Sequence, residues 1–293
     1  MSKIIAGSRE SKLAVVQTKI VMSKIKESHP ELDLDILTMK TTGDIVLDRN
    51  LDEIGGKGLF VKELDIALRN GSIDFSVHSL KDMPMETPED LPLYSFSKRE
   101  NPADVLVLPI GKCELDPSKP IGSSSPRRSL QLQKLFPGIE IQSIRGNVLT
   151  RLDKLDSGEY SALVLAYAGL QRLGLEGRIN RVFTPEEMIP AAGQGIMAVQ
   201  GRAEGNYEYL KCVDDKEARI AATAERAFVA YLDGGCSTPI AAFAQIDGEN
   251  IDLSGLYVNP DNGIAVSGKL SGKTNDSSKI AIELAKLLKG KTE

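Results

Sequence analysis

Ile73-Asp74-Phe75-Ser76-Val77, followed at once by His78-Ser79-Leu80-Lys81-Asp82, is a short apolar run that ends in a polar cluster. The first five residues read as a buried strand, preceded by a helical stretch from Leu59 to Arg69 that Gly71 closes. A strand of this kind delivers its polar followers to the carboxyl end of an open α/β sheet, where such sheets bind their ligands. Upstream, Lys3 to Ala6 reads as a strand and Ser11 to Ser28 as a helix with Leu13, Val16, Ile20 and Val21 on one face, ending before Pro30. Leu32 to Met39 is the next predicted strand, and Thr42 to Gly58, with four glycines and little periodicity, reads as a surface loop.

Downstream, Lys98-Arg99-Glu100-Asn101 and Pro102 mark a charged crossing, read as a hinge, into a second alternating segment. It opens with the strand Val105 to Leu108. In Ile121-Gly122-Ser123-Ser124-Ser125-Pro126-Arg127-Arg128, Ser125 is the predicted N-cap and Pro126 the first residue of a helix that runs to about Phe136. Strands follow at Ile139 to Ile144 and Ser161 to Ala166, and helices at Val148 to Leu155 and Ala168 to Leu173. Pro190-Ala191-Ala192-Gly193-Gln194-Gly195 reads as a second crossing, leading to the strand Ile196 to Val199. From about Ala218 a long helix, three strand-like runs joined at Asp247-Gly248 and at Asn259 to Gly263, and a last helix from Ser278 to Leu288 form an α+β unit. The predicted fold class is therefore α/β, with two lobes of parallel-rich mixed sheets, residues 1–98 with 195–213 and residues 99–194, and a C-terminal α+β domain, 214–293, with a three-stranded antiparallel sheet. Two lobes joined by two crossings predict a clamp around a ligand, and no internal repeat is evident.

The chain has 293 residues, 41% hydrophobic and 26% charged, with a net charge of −5, which excludes a disordered chain and argues against a general nucleic-acid binder. No apolar stretch is long enough to span a bilayer, the N-terminus carries no export signal, and three cysteines show neither CxxC nor zinc-ligand spacing. The expectation is a cytoplasmic protein without a metal or a membrane partner. Between Pro120 and Arg181, nine Lys or Arg face five Asp or Glu, and seven of the nine are Arg. An Arg-rich segment in an acidic chain points to a small polyanionic ligand.

Arg127 and Arg128 fall in a first helical turn, where the partly positive helix end disfavours cations unless an anion is held there. The alternative is a solvent-facing pair. Arg145, before Gly146-Asn147, and Arg9, with Ser11 beside it, also follow predicted strands, and Arg151 lies on the next helix. Asp82 at a strand end suits either charge stabilisation and proton movement or a plain turn. Cys236, in Leu232-Asp233-Gly234-Gly235-Cys236-Ser237-Thr238-Pro239, sits on a predicted loop, either as a reactive thiol or as a small buried hydrophobe. A Cys236–His78 pair would make a cysteine hydrolase, and a non-catalytic anion-binding clamp would also account for the arginines.

Taken together, Gly7-Ser8-Arg9-Glu10-Ser11-Lys12-Leu13-Ala14, Gly55-Gly56-Lys57-Gly58-Leu59-Phe60, Val77 to Pro84, Ser124 to Arg128, Arg145-Gly146-Asn147-Val148, Leu165 to Gly174, Pro190 to Gly195 and Gly234-Gly235-Cys236 resemble the porphobilinogen deaminase (hydroxymethylbilane synthase) family in order and spacing. The resemblance runs from residue 3 to at least 245, and the last fifty residues match only in pattern. It implies lobes like those of a periplasmic binding protein and a cytosolic, monomeric transferase of tetrapyrrole synthesis. Such an enzyme deaminates porphobilinogen and joins four units head to tail on a dipyrromethane primer, releasing hydroxymethylbilane and ammonia.

By matching position, the resemblance implies that Cys236 carries the dipyrromethane through a thioether and that Asp82 is catalytic. It further implies that Arg9, Ser11, Gln17, Lys57, Ser79, Lys81, Ser124, Ser125, Arg127, Arg128, Arg145, Arg151, Arg172 and Gln194 hold the cofactor and substrate. Phe60 and Lys57 would stand at the inner edge of a lid formed by the Thr42 to Gly58 loop.

Overall fold

A computed structural model describes residues 3–45, 61–234 and 238–293. The chain divides into two compact units, Met1–Glu100 with Ile196–Arg219 and Asn101–Gly195 with Ile220–Glu293. Lys57, Phe60 and Cys236, and most of the predicted lid, lie outside the described residues.

In the first unit, β1 (Ile4–Arg9) enters helix α1 (Lys12–Ser28) through Ser11, whose hydroxyl accepts from the Ala14 amide at 3.3 Å. That N-cap satisfies one of the donors a helix start leaves open. The buried face of α1 carries Ala14, Gln17, Thr18, Val21 and Ile25, so two polar side chains are carried inward with the apolar ones. After β2 (Leu34–Met39), a single helical turn, α2 (Thr42–Ile45), replaces the start of the predicted loop. Glu63 fixes that turn by accepting from both the amide and the hydroxyl of Thr42 at 2.9 and 2.6 Å. Helix α3 (Lys62–Arg69) then leads to β3 (Phe75–Ser79) and a 3₁₀ turn, Leu80–Asp82.

Both β2 and β3 pair parallel to β1. β10 (Met197–Gly201) pairs antiparallel with both β3 and β4 (Leu93–Phe96), giving the order β2-β1-β3-β10-β4. The four residues of β4 escape the periodicity reading because they are too few to show an alternation. One face of the sheet packs Phe75, Val77, Met197 and Val199 against Val21 and Ile25 of α1, and Leu64, Leu68 and Ile73 form a second cluster. Gly7 is required by that second cluster, since a Cβ there would lie 2.2 Å from Ile73 Cδ1.

The second unit repeats this plan. Its strands β5 (Asp104–Val107), β6 (Ile121–Gly122), β7 (Ile141–Gln142), β8 (Ala162–Ala166) and β9 (Arg181–Val182) form a sheet of order β7-β6-β8-β5-β9. Again the first three are parallel and the last two pairings antiparallel. Topology thus repeats where the sequence shows no repeat, because the apolar alternation that builds a strand is satisfied by many sequences. Helices α4 (Pro126–Leu135), α5 (Val148–Asp156) and α6 (Tyr167–Arg172) follow β6, β7 and β8. Ser125 caps α4 by position only, without a side-chain bond, and Pro126 opens it.

Helix α7 (Lys216–Tyr231) precedes an antiparallel meander of β11 (Ala241–Asp247), β12 (Asn250–Val258) and β13 (Ala265–Lys273). Helix α8 (Ser277–Gly290) covers it with Ile280, Ala281, Leu284, Ala285 and Leu288. Gly272 admits this helix, for a Cβ there would meet Ile280 Cδ1 at 2.5 Å. Ile189, just before the second crossing, packs with Ala241, Phe243 and Leu256 of the meander and with Leu130 of α4.

Candidate functional site

At the carboxyl ends of β1 and β3 the first unit forms an open pocket lined by Arg9, Ser11, Gln17, His78, Ser79 and Asp82, with Leu13, Val61, Val77 and Met83 as the apolar wall. Five polar side chains expected from the sequence, Arg9, Ser11, Gln17, Ser79 and Asp82, meet here, and Gln17 Nε2 donates to Ser79 Oγ at 2.8 Å. Asp82 arrives on the 3₁₀ turn that follows β3, and Lys81, its neighbour on that turn, is half-buried.

His78 is 6% exposed, with Nε2 2.7 Å from Ser76 Oγ. Burial, with the charge of Arg9 adding to it, lowers its pKa to about 4 against the opposing bond to Gln200. An imidazole of that basicity is a poor base at neutral pH, which argues against the hydrolase pair. Because the folded pKa is below the ordinary 6.5, protonation favours the unfolded chain. This contribution to stability is whole above pH 6.5 and is lost as the pH falls towards 4, by on the order of 2–3 kcal/mol. Of the two imidazole signals in an NMR titration, the His78 ring is expected to shift only near pH 4. A midpoint near 6.5 would show that the ring is solvated.

The second unit gathers a different set. Asp104, fully buried at the start of β5, accepts from Arg127 Nη1 at 2.6 Å on one oxygen. Its other oxygen accepts from Arg128 Nη2 at 2.7 Å and Nε at 2.9 Å, and from Gln194 Nε2 at 3.0 Å. Burial by itself would raise the Asp104 pKa, but the two guanidinium groups and the Gln194 amide overcome this and hold the carboxyl well below the usual carboxylate range. The structure thereby corrects the electrostatic reading of Arg127 and Arg128. They are neither a solvent-facing pair nor dependent on an external anion for their first counter-charge, because the fold supplies Asp104. Sequence reasoning missed this residue, although an Asp opening an apolar strand needs a buried partner.

Ser124 bonds the Ile144 carbonyl and accepts from the Ile144 amide at 3.0 Å, and Arg151 Nε donates to the Gly146 carbonyl at 2.8 Å. These contacts shape the turn that carries Arg145, where Gly146 has a φ of +113°. Ser125 is half-buried at the start of α4. Arg172 Nη2 donates to the Gly195 carbonyl at 2.7 Å. Glu225 of α7, also fully buried and also missed, accepts from the amides of Gly193 and Ala244, each at 2.7 Å. The helices that leave the strand ends, α1, α4, α5 and α6, carry no acid in their first turns, whereas α3 carries Glu63 and Asp65. Their positive ends are left open to anions. Among the described residues there is no cluster of metal-ligating side chains, and no helix is long and apolar enough to cross a membrane.

Guanidinium groups and hydroxyls gathered at the strand ends of an α/β sheet are a donor set suited to a small ligand that carries acidic groups. The chain belongs to the porphobilinogen deaminase family. Residues 4–208 match the family model described as the porphobilinogen deaminase dipyromethane cofactor binding domain, and residues 219–290 match that of the C-terminal domain. The chain is 54% identical to the porphobilinogen deaminase of Acetivibrio thermocellus over 98% of this chain and 99% of that one. It is 53% identical to that of Ruminiclostridium josui, over 99% and 98%, and 51% identical to that of Alkaliphilus oremlandii, over 99% and 98%. The residues fit the group named in the family description: the first-unit cavity combines cationic and hydroxyl donors for carboxylates with one carboxylate for pyrrole N–H groups and an apolar wall for the rings.

Proposed function

We propose that this member of the porphobilinogen deaminase family deaminates porphobilinogen and joins four units head to tail, with its dipyrromethane held through a thioether to Cys236 and with Asp82 as the catalytic carboxylate. When bound, the dipyrromethane supplies the primer on which the units are added. The arginines and hydroxyls hold the acetate and propionate groups: Arg9, Ser11, Gln17, Ser79 and Lys81 in the first unit, and Ser124, Ser125, Arg127, Arg128, Arg145, Arg151, Arg172 and Gln194 in the second. Lys57 belongs to the same set and Phe60 to the lid, both in the segment between α2 and α3 that lies outside the described residues. Asp82 accepts hydrogen bonds from pyrrole N–H groups and stabilises the positive charge that develops on the substrate as ammonia leaves. The domains follow residues 1–98 with 195–213, 99–194 and 214–293, in a cytoplasmic monomer.

The observation that carries this reading is the gathering of Arg9, Ser11, Ser79 and Asp82 on one cavity in a chain that matches the family along nearly its whole length. The non-catalytic anion-binding reading leaves Cys236 without a role. The test is the intact mass of the purified protein and its colour with Ehrlich's aldehyde reagent, before and after incubation with porphobilinogen. A mass excess of two linked porphobilinogen units on the Cys236 peptide, with pyrrole colour, is expected. A chain that stays unmodified and colourless would return the function to ligand binding.

A further inference from the structure

Three of the side chains proposed to hold ligand carboxylates, Arg127, Arg128 and Gln194, converge on one residue that has no place in that proposal. Asp104 accepts from all three, from Arg127 at 2.6 Å, Arg128 at 2.7 Å and Gln194 at 3.0 Å, and it is fully buried. Arg127 spans both oxygens, with Nη1 on Oδ2 at 2.6 Å and Nη2 on Oδ1 at 3.3 Å, while the Nη2 and Nε of Arg128 both reach Oδ1. Two donors from each guanidinium on the one carboxylate fix the planes of both groups as well as their positions. Backbone carbonyls complete the orientation, with Arg127 Nη1 donating to Ile189 at 2.8 Å, Arg128 Nη1 to Val164 at 3.0 Å and Gln194 Nε2 to Pro102 at 2.6 Å.

Stability is a poor explanation for such a cluster. Withdrawing charges from water costs much of what their attraction returns, and well-packed apolar residues in the same volume commonly do as well. What a buried carboxylate does that an apolar residue cannot is to hold several cationic donors in one arrangement. We propose that Asp104 is a positioning residue of the ligand site, acting through Arg127, Arg128 and Gln194 to set the orientation in which they meet the carboxylates of cofactor and substrate. The proposal rests on the function assigned above. It assigns Asp104 no contact with ligand.

The test uses two full-length variants. Asp104→Glu keeps the charge, so the guanidinium groups retain a counter-ion, but its extra methylene displaces them. Asp104→Asn keeps the size and removes the charge. For each, the melting temperature, the fraction loaded with dipyrromethane by intact mass, and KM and kcat for porphobilinogen on the loaded fraction are measured. Asp104→Glu is expected to melt near wild type, to load less than half as much protein, and to raise KM at least ~10-fold with kcat changed less than ~3-fold, the split expected when binding and not chemistry is disturbed. Asp104→Asn is expected to show the same split together with a lower melting temperature. A folded Asp104→Glu with KM and loading within two-fold of wild type would overturn the proposal, as would failure of both variants to fold, which would make the residue structural. If wild type itself neither loads nor turns over, the assigned function fails first.

Discussion

Asp82→Asn is expected to leave the fold intact and to lower turnover by at least ~10²-fold, the range in which a positioned carboxylate acts on a charged transition state. The substitution is nearly isosteric and falls on the 3₁₀ turn Leu80–Asp82, where the chain has just left β3. The backbone of that turn is held independently of the carboxylate, because the Leu80 amide donates to Ile196 at 3.0 Å and the Met83 amide to Leu80 at 3.1 Å. Only the charge on the cavity wall is lost. Cation formation as ammonia departs would then proceed beside a neutral amide, with Arg9 on the same wall repelling it. The measurement is kcat on protein whose dipyrromethane load has been quantified by mass, so that a loading defect is not read as a catalytic one. Activity within a few-fold of wild type would remove Asp82 from the mechanism.

Cys236→Ser is expected to abolish both cofactor loading and turnover while changing the melting temperature little. A serine hydroxyl has the size of the thiol but ionises far less readily and is a much weaker nucleophile, so it does not form the proposed linkage under the conditions in which a thiol does. The variant should show the bare mass of the chain and no pyrrole colour, even after prolonged incubation with porphobilinogen. A variant that still accumulates two pyrrole units would place the attachment on another residue, with Cys113 and Cys212 the other thiols to examine.

Local features of the chain were readable because they depend on near neighbours in sequence. Ser11 before an apolar-periodic stretch specifies the start of α1, and Pro126 after Ser125 specifies the start of α4, through capping and ring geometry that need no distant contact. The turns at Gly248 and Gly263, with φ of +56° and +72°, are likewise written in residues that tolerate left-handed backbone. Even the cavity set was legible, since a strand end fixes where Arg9, Ser79 and Asp82 emerge once β1 and β3 are known to be parallel neighbours.

What escaped was whatever depends on pairing at long range. β4 is four residues long and has no local signal, and although Ile196 to Val199 reads as a strand, β10 makes its antiparallel pairing with β3 only after the chain has built another sheet. Asp104 and Glu225 look like ordinary charged residues until their partners, 23 to 90 residues away for Asp104 and 19 to 32 for Glu225, are brought to them. By itself, then, the sequence determined the alternation of strands and helices, the capped helix starts and the residue types at the strand ends, because sterics and local hydrogen bonding act over a few residues. Only the tertiary structure decided which charges neutralise one another, because a buried carboxylate is defined by the donors that surround it and not by its neighbours along the chain.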